Sequence, residues 1–303
     1  MCTAVYFERG NIFGRTLDLE CSLGESVFSV PRDFPLVYKN IGREEHHFAF
    51  VGMAYLSDGY PLFYDGVNEH GVAVAGLNFP GCARYCKPKD GYTNLASFEI
   101  IQYVLSRADT LGSAEELLRS VRVTDEAFCE GLQPTPLHFI ISSKDGTLVL
   151  EPREGGLVLT KSSHGVLSNA PELSYHLTRT ADFRALSPSL GDNRFAPKSE
   201  LSVYSRGLGA FGLPGDFSSS SRYVRALFMK SHTLIEEPYG ERERLSAFFH
   251  IMDTVSVPLG CVVTDGGAPV STVYTSAMDL DTLCYYYKSY GDGEVRVTKL
   301  KAD

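Results

Sequence analysis

Short apolar or alternating runs fill the N-terminal part of the chain. Residues 4–7, 11–19, 27–31, 36–39, 48–56, 62–65 and 72–78 each read as a strand, and turn-forming residues separate most of them, as at Arg9-Gly10-Asn11 and Asn68-Glu69-His70-Gly71. The period then changes. Leu95, Phe98, Ile101, Gln102 and Leu105 recur at three- and four-residue spacing, which predicts a helix, and a second helix over 113–120 opens with Ser113 and Glu116 as a capping box. Strand patterns return at 137–142, 147–151 and 157–160, the first two joined by a Lys144-Asp145-Gly146 turn. A helical stretch near 174–186 precedes a Pro- and Gly-rich loop that runs to Pro214-Gly215-Asp216. The run Ser218-Ser219-Ser220-Ser221 then caps a long helix through Tyr223, Leu227 and His232. A helix over 241–254 and strands at 260–264, 269–276, 282–288 and 294–299 complete the pattern.

Strands at both ends with helices between them predict that the termini share a sheet. Sheets covered by helices on their outer faces satisfy both periods. No Ser/Pro-rich linker divides the 303 residues, and no repeat of about 20–50 residues is visible, so one domain over 1–303 is expected.

Composition narrows the function classes. An apolar share of 44%, with 18 Phe and 17 Tyr, is ample for a buried core. The formal charge of −9, without a Lys/Arg cluster, argues against a nucleic-acid partner. No basic region precedes an apolar block and no window approaches ~18 apolar residues, so neither a secretory leader nor a membrane span is expected. Seven cysteines without regular spacing fit a reducing cytoplasm better than a disulfide scaffold. Cys82 and Cys86 lack companions at zinc spacing, and the adjacent His46 and His47 would point apart on a strand. No metal or cofactor is expected. The glycines of Gly207-Leu208-Gly209-Ala210-Phe211-Gly212 match G-x-G-x-x-G, but Pro214 and Gly215 follow at once, so no helix opens there to hold a pyrophosphate.

Candidate chemistry begins at Cys2. Trimming of Met1 would leave a cysteine with a free α-amine, placing a nucleophile and a base in one residue. An α-amine titrates near ~7.7–8.0 and a free thiol near ~8.5, so proton exchange between them needs little help at neutral pH. If residues 3–6 and 12–18 pair across the Arg9-Gly10-Asn11 turn, Arg15 and Asp18 fall near the end of the strand that carries Cys2. The arginine would favour the thiolate, and the carboxylate would hold the amine. On spacing alone, an ordinary surface ion pair is the better account of Arg15 and Asp18. Asn78 before Phe79-Pro80 and Asn169 before Ala170-Pro171 likewise read as turn-shaping residues when taken singly.

Taken together, the blocks carry a resemblance. Cys2-Thr3, then Phe13-Gly14-Arg15-Thr16-Leu17-Asp18, then Asn68-Glu69-His70-Gly71 and Ala75-Gly76-Leu77-Asn78-Phe79-Pro80-Gly81, stand in the order of the choloylglycine hydrolase family. Leu167-Ser168-Asn169-Ala170-Pro171 and the stretch from Pro214-Gly215-Asp216-Phe217 through Arg222-Tyr223-Val224-Arg225 continue it. This family of N-terminal-nucleophile enzymes contains bile salt hydrolases and penicillin V acylases. The resemblance implies an α+β fold, an αββα four-layer sandwich of mostly antiparallel sheets. It implies Cys2, Arg15, Asp18, Asn78, Asn169 and Arg222 as catalytic residues, with Asn78 and Asn169 as oxyanion donors and Arg222 bracing the network. Position 78 also points within the family, since bile salt hydrolases show Asn where penicillin V acylases usually have Tyr.

The implied reaction is hydrolysis of glycine- or taurine-conjugated bile salts, with no cofactor, in the cytoplasm, by a homo-oligomer of the kind that is often a tetramer. Phe79, Tyr85 and Phe63, with Met53 as a further candidate, are expected to wall the steroid, and Arg206 to meet the leaving group's carboxylate or sulfonate. Two other readings remain open here. One is an acylase for penicillin V or N-acyl homoserine lactones. The other, of a different class, is a silent ligand-binding protein whose Cys2 stays blocked by Met1.

Overall fold

In the computed structural model, which describes residues 1–235 and 240–301, most of the strand patterns resolve into two seven-stranded sheets, while Leu36–Tyr38 pairs with Gly42–Glu44 in a small separate sheet. The first sheet runs, in spatial order, Val166–Leu167, Cys2–Phe7, Ile12–Leu19, Pro269–Asp279, Cys284–Ser289 and Asp292–Lys299, with Val262–Val263 beside Pro269–Asp279. Both ends of the chain therefore share it, as the patterning predicts. The second runs Gly156–Lys161, Gly146–Arg153, Leu137–Ser143, Ala73–Asn78, Tyr60–Asn68, Phe50–Ser57 and Ser26–Val30. Every pairing within these two sheets is antiparallel.

Helices Ser219–His232 and Glu241–Asp253 cover the outer face of the first sheet, and Ile100–Arg107 and Leu111–Arg119 cover that of the second. The four layers are αββα, as expected. Alternation along the strands divides the apolar residues into two cores. The larger joins the facing sides of the two sheets to the helices over the first, with Ala4, Tyr6, Leu17, Ala75 and Leu77 among its members. The other lies between the second sheet and its helices. Gly14 permits a close approach in the larger core, because a Cβ there would lie 2.1 Å from the Ser276 carbonyl oxygen.

Several boundaries differ from the sequence reading. Residues Thr93–Ala96 form a short strand parallel to Val121–Thr124, so the helix expected from Leu95 onward begins only at Ile100. The next helix starts at Leu111 rather than 113, because Thr110 caps it. Thr110 Oγ1 accepts from Ser113 N at 3.1 Å, and Ser113 Oγ accepts from Thr110 N at 3.0 Å. The helix near 174–186 stops at Arg179 and continues as a 3-10 turn over Thr180–Phe183. The Gly207–Gly212 motif opens no long helix: Leu208–Ala210 is a 3-10 turn, and a Cβ on Gly209 would lie 2.2 Å from the Ser189 carbonyl.

Candidate active site

The hairpin register determines what surrounds Cys2. Ala4 lies opposite Arg15 and Cys2 opposite Leu17, so the side chains of Cys2 and Arg15 share the face toward the second sheet as diagonal neighbours. Arg15 Nη2 donates to Cys2 Sγ at 2.5 Å. Its Nη1 donates to the carbonyls of Gly76 at 2.7 Å and Tyr64 at 3.3 Å, and its Nε to that of Thr16 at 3.1 Å. Burial works against a charged Arg15. The Cys2 sulfur, Tyr274, Asp65 and Asp18 outweigh that and hold its pKa above the ordinary arginine range.

Thr3, Thr16 and Asp18 occupy the opposite face, toward the helices. Arg222, on the first turns of Ser219–His232, reaches down from there. Its Nη1 donates to Cys2 O and Thr3 Oγ1, each at 2.5 Å, and its Nη2 to Asn169 Oδ1 at 2.7 Å. Asn169 is placed by register too. Val166–Leu167 pairs antiparallel with Val5 and Ala4, and two residues further on Asn169 stands opposite Cys2. Its Oδ1 accepts from Cys2 N at 2.7 Å, and its Nδ2 donates to the Asn78 carbonyl at 2.8 Å. One amide side chain thus ties the Cys2 nitrogen to Arg222 on one side and to the end of strand Ala73–Asn78 on the other. The Asn78 side chain is left over, with its buried Oδ1 lacking a protein partner.

Asp18 is expected to hold the α-amine of Cys2, which is a peptide nitrogen while Met1 is attached. Its carboxylate accepts from Thr272 Oγ1 at 2.7 Å and Thr16 Oγ1 at 3.4 Å rather than from an amine. The Met1 amine donates instead to the Asp18 carbonyl at 2.6 Å. Burial raises the Asp18 pKa, against the pull of Arg222, Thr272, the terminal amine and Arg15.

A layer of polar residues that the sequence reading missed braces the Asn169 segment. His176 Nε2 approaches the Asn169 carbonyl at 3.1 Å, Ser219 Oγ donates to it at 2.8 Å, and His138 Nε2 approaches the Ser168 carbonyl at 2.7 Å. Burial lowers the pKa of both histidines. Asp65 was missed as well. It is the lone charge in the apolar run from Leu62 to Val67, which is the signal that could have found it.

The residues expected to wall the steroid stand in different surroundings. Phe79 is fully buried and stacked on His138, with ring centroids 4.2 Å apart. Tyr85 spends its hydroxyl on Leu137 N and the Thr135 carbonyl and packs on the helix-side core. Phe63 faces that same outer core, because a register shift at Met53/Ala54 inserts Tyr64 as an extra residue and turns Phe63 away from Cys2. Met53 does face the inter-sheet side, where it lines a cavity of about 230 Å³ with Glu25, Tyr274 and Tyr287. Arg206 lies in the exposed loop before the Gly-rich turn.

A thiol at the start of a strand, an arginine on its sulfur, and an amide holding its nitrogen form an arrangement suited to acyl transfer. Known proteins resemble this chain in sequence and fold. A "Bile salt hydrolase/transferase" of Lactiplantibacillus plantarum is 38% identical over 302 residues, covering 99% of this chain and 92% of that protein. Another of that description, from Clostridium perfringens, is 30% identical over 100% of this chain and 93% of its own. The crystal structure of the C2A mutant of the conjugated bile acid hydrolase from Clostridium perfringens superposes with a TM-score of 0.91 at 30% identity, covering 100% of this chain and 93% of that one. A penicillin V acylase from Agrobacterium tumefaciens shares the fold, with a TM-score of 0.76 at 21% identity over 99% of this chain and 86% of its own. The description "linear amide C–N hydrolases, choloylglycine hydrolase family" matches residues 2–303, and the chain belongs to that family.

Proposed function

We propose that the enzyme hydrolyses the amide bond of glycine- or taurine-conjugated bile salts, releasing bile acid and amino acid. The observation that carries the reading is the coupling at Cys2, with its sulfur on Arg15 and its nitrogen on Asn169. Loss of Met1 turns that nitrogen into an amine already seated on an acceptor. The amine takes the thiol proton as Sγ attacks the amide carbonyl, and returns it to the departing nitrogen. Water then cleaves the thioester, with the amine again as base. The Nδ2–H of Asn78 and the second N–H of Asn169 meet the oxyanion. Asp18 and Arg222 hold the strand end that carries the reacting residue.

The bile-salt substrate is supported by the names of the full-length relatives and by Asn at position 78. Release of amino acid from glycocholate and taurocholate, measured beside hydrolysis of penicillin V, tests it; faster turnover of penicillin V would move the assignment to the acylases. We also propose a cytoplasmic homo-oligomer, a tetramer by analogy with the family. Its support is the exposed apolar side chains of the long loop before helix Ser219–His232, among them Phe195, Val203, Tyr204 and Phe211.

A further inference from the structure

Arg15 is a fully buried cation whose guanidinium, among the described residues, bonds to three main-chain carbonyls and to Cys2 Sγ. A charge in such a place needs an opposite one nearby. Asp65, also fully buried, supplies it from the facing sheet. Its Oδ1 accepts from Tyr285 Oη at 2.5 Å, and its Oδ2 from Tyr274 Oη at 2.7 Å and Ser276 Oγ at 3.3 Å. Ser276 Oγ also accepts from Arg15 N at 3.3 Å, so one hydroxyl bridges the two residues. The register shift that turns Phe63 outward is what turns Asp65 inward, and it presents the Tyr64 carbonyl to Arg15.

We propose that Asp65 is a positioning residue for the Cys2 reaction: a buried counter-charge, tied to Arg15 through Ser276, that limits how much positive charge Arg15 presents to the sulfur. This rests on Cys2 as the nucleophile. The other charged and titratable groups around the pair are Asp18, Tyr64, Tyr274 and Tyr285, with Glu25 and Arg222 farther out. A thiolate stabilised too strongly is a poorer nucleophile, so tempering the arginine preserves reactivity. Burial raises the Asp65 pKa, and Arg15 with the three hydroxyl donors pulls the other way, toward the ionised carboxylate.

The test is the pH dependence of Cys2 alkylation by iodoacetamide, followed by mass spectrometry of the Cys2 peptide, so it does not depend on hydrolysis. In Asp65→Asn, Arg15 acts on the sulfur unopposed, and the alkylation profile moves to lower pH by about half a unit or more, the scale on which a nearby charge acts. In Ser276→Ala, Asp65 loses a donor that favours its ionised form and the bridge to Arg15, so the counter-charge weakens and the profile moves by a smaller amount, also to lower pH. The serine variant removes only a hydroxyl and keeps the test open if the asparagine variant does not fold. A folded variant of either kind with an unmoved profile overturns the proposal, even if its melting temperature falls. Failure of Cys2 as nucleophile would appear separately, as activity retained without its thiol.

Discussion

Removing the Asn169 side chain beyond Cβ breaks three hydrogen bonds at once: the one from Cys2 N at 2.7 Å, the one from Arg222 at 2.7 Å and the one to the Asn78 carbonyl at 2.8 Å. In Asn169→Ala the buried Arg222 keeps its bonds to Cys2 O, Thr3 Oγ1 and the Phe217 carbonyl, so the fold survives. The lost bonds cost about 1–3 kcal/mol of stability, and on a chain of this size that lowers Tm by several degrees. The larger effect is on chemistry. An amine no longer held beside the sulfur, together with one oxyanion donor removed, lowers kcat by about 10²–10³, or ~3–4 kcal/mol of transition-state stabilisation. KM changes little, since the bonds of Asn169 are to the protein. Asn169→Asp separates the two contributions. It preserves the acceptor for the amine and Arg222 but loses the donor, and should retain more activity than alanine if holding the amine dominates. Steady-state release of glycine from glycocholate, with melting followed in parallel, gives both numbers. A folded Asn169→Ala enzyme with kcat within about threefold of wild type would refute the reasoning.

Three further expectations follow from other parts of the molecule. Phe79→Ala opens a cavity beside His138 in a fully buried site and should cost about 3–5 kcal/mol while affecting large and small acyl substrates alike; a selective rise in KM for bile salts, with Tm unchanged, would restore Phe79 to the pocket wall. Arg206→Ala should lower kcat/KM for taurocholate more than for glycocholate, because a forked donor suits the three-oxygen sulfonate; equal losses, or none, remove Arg206 from leaving-group recognition. Burial lowers the pKa of His138 and His176 in the fold, so the stability they contribute is present above their unfolded value of about 6.5 and is lost as pH falls below it. Melting temperature should therefore drop between pH 7 and pH 5 less steeply in His176→Gln than in wild type, and an identical slope would remove His176 from the effect.

The parts of the site that lie along a single hairpin were legible in the chain. A turn at Arg9–Asn11 and two runs of alternating residues suffice to bring Arg15 beside Cys2, since the strand period sets which side chains share a face. Asn78, Asn169 and Arg222 come from distant segments, and no spacing argument links them; only the ordered set of blocks pointed to them together. Phe63 shows where alternation misleads. A period of two puts Phe63 and Asp65 on one face, and a single inserted residue at Tyr64 puts them on opposite faces. Asp18 was read from its sequence position as a partner for the amine, but its neighbours Thr16 and Thr272 come from the same strand and from a strand over 250 residues away. Long-range pairing of that kind leaves no local trace.

The central claim is that Cys2, once Met1 is gone, carries amide hydrolysis of conjugated bile salts. The most direct measurement is amino-acid release from glycocholate and taurocholate by wild type and Cys2→Ser, on protein whose intact mass shows the loss of Met1. Wild type should release glycine and taurine while the serine variant, folded to the same melting temperature, falls to background, because a hydroxyl is a far weaker nucleophile than a thiolate at neutral pH. Comparable release by both proteins, or none by wild type with a free Cys2 amine, would contradict the account.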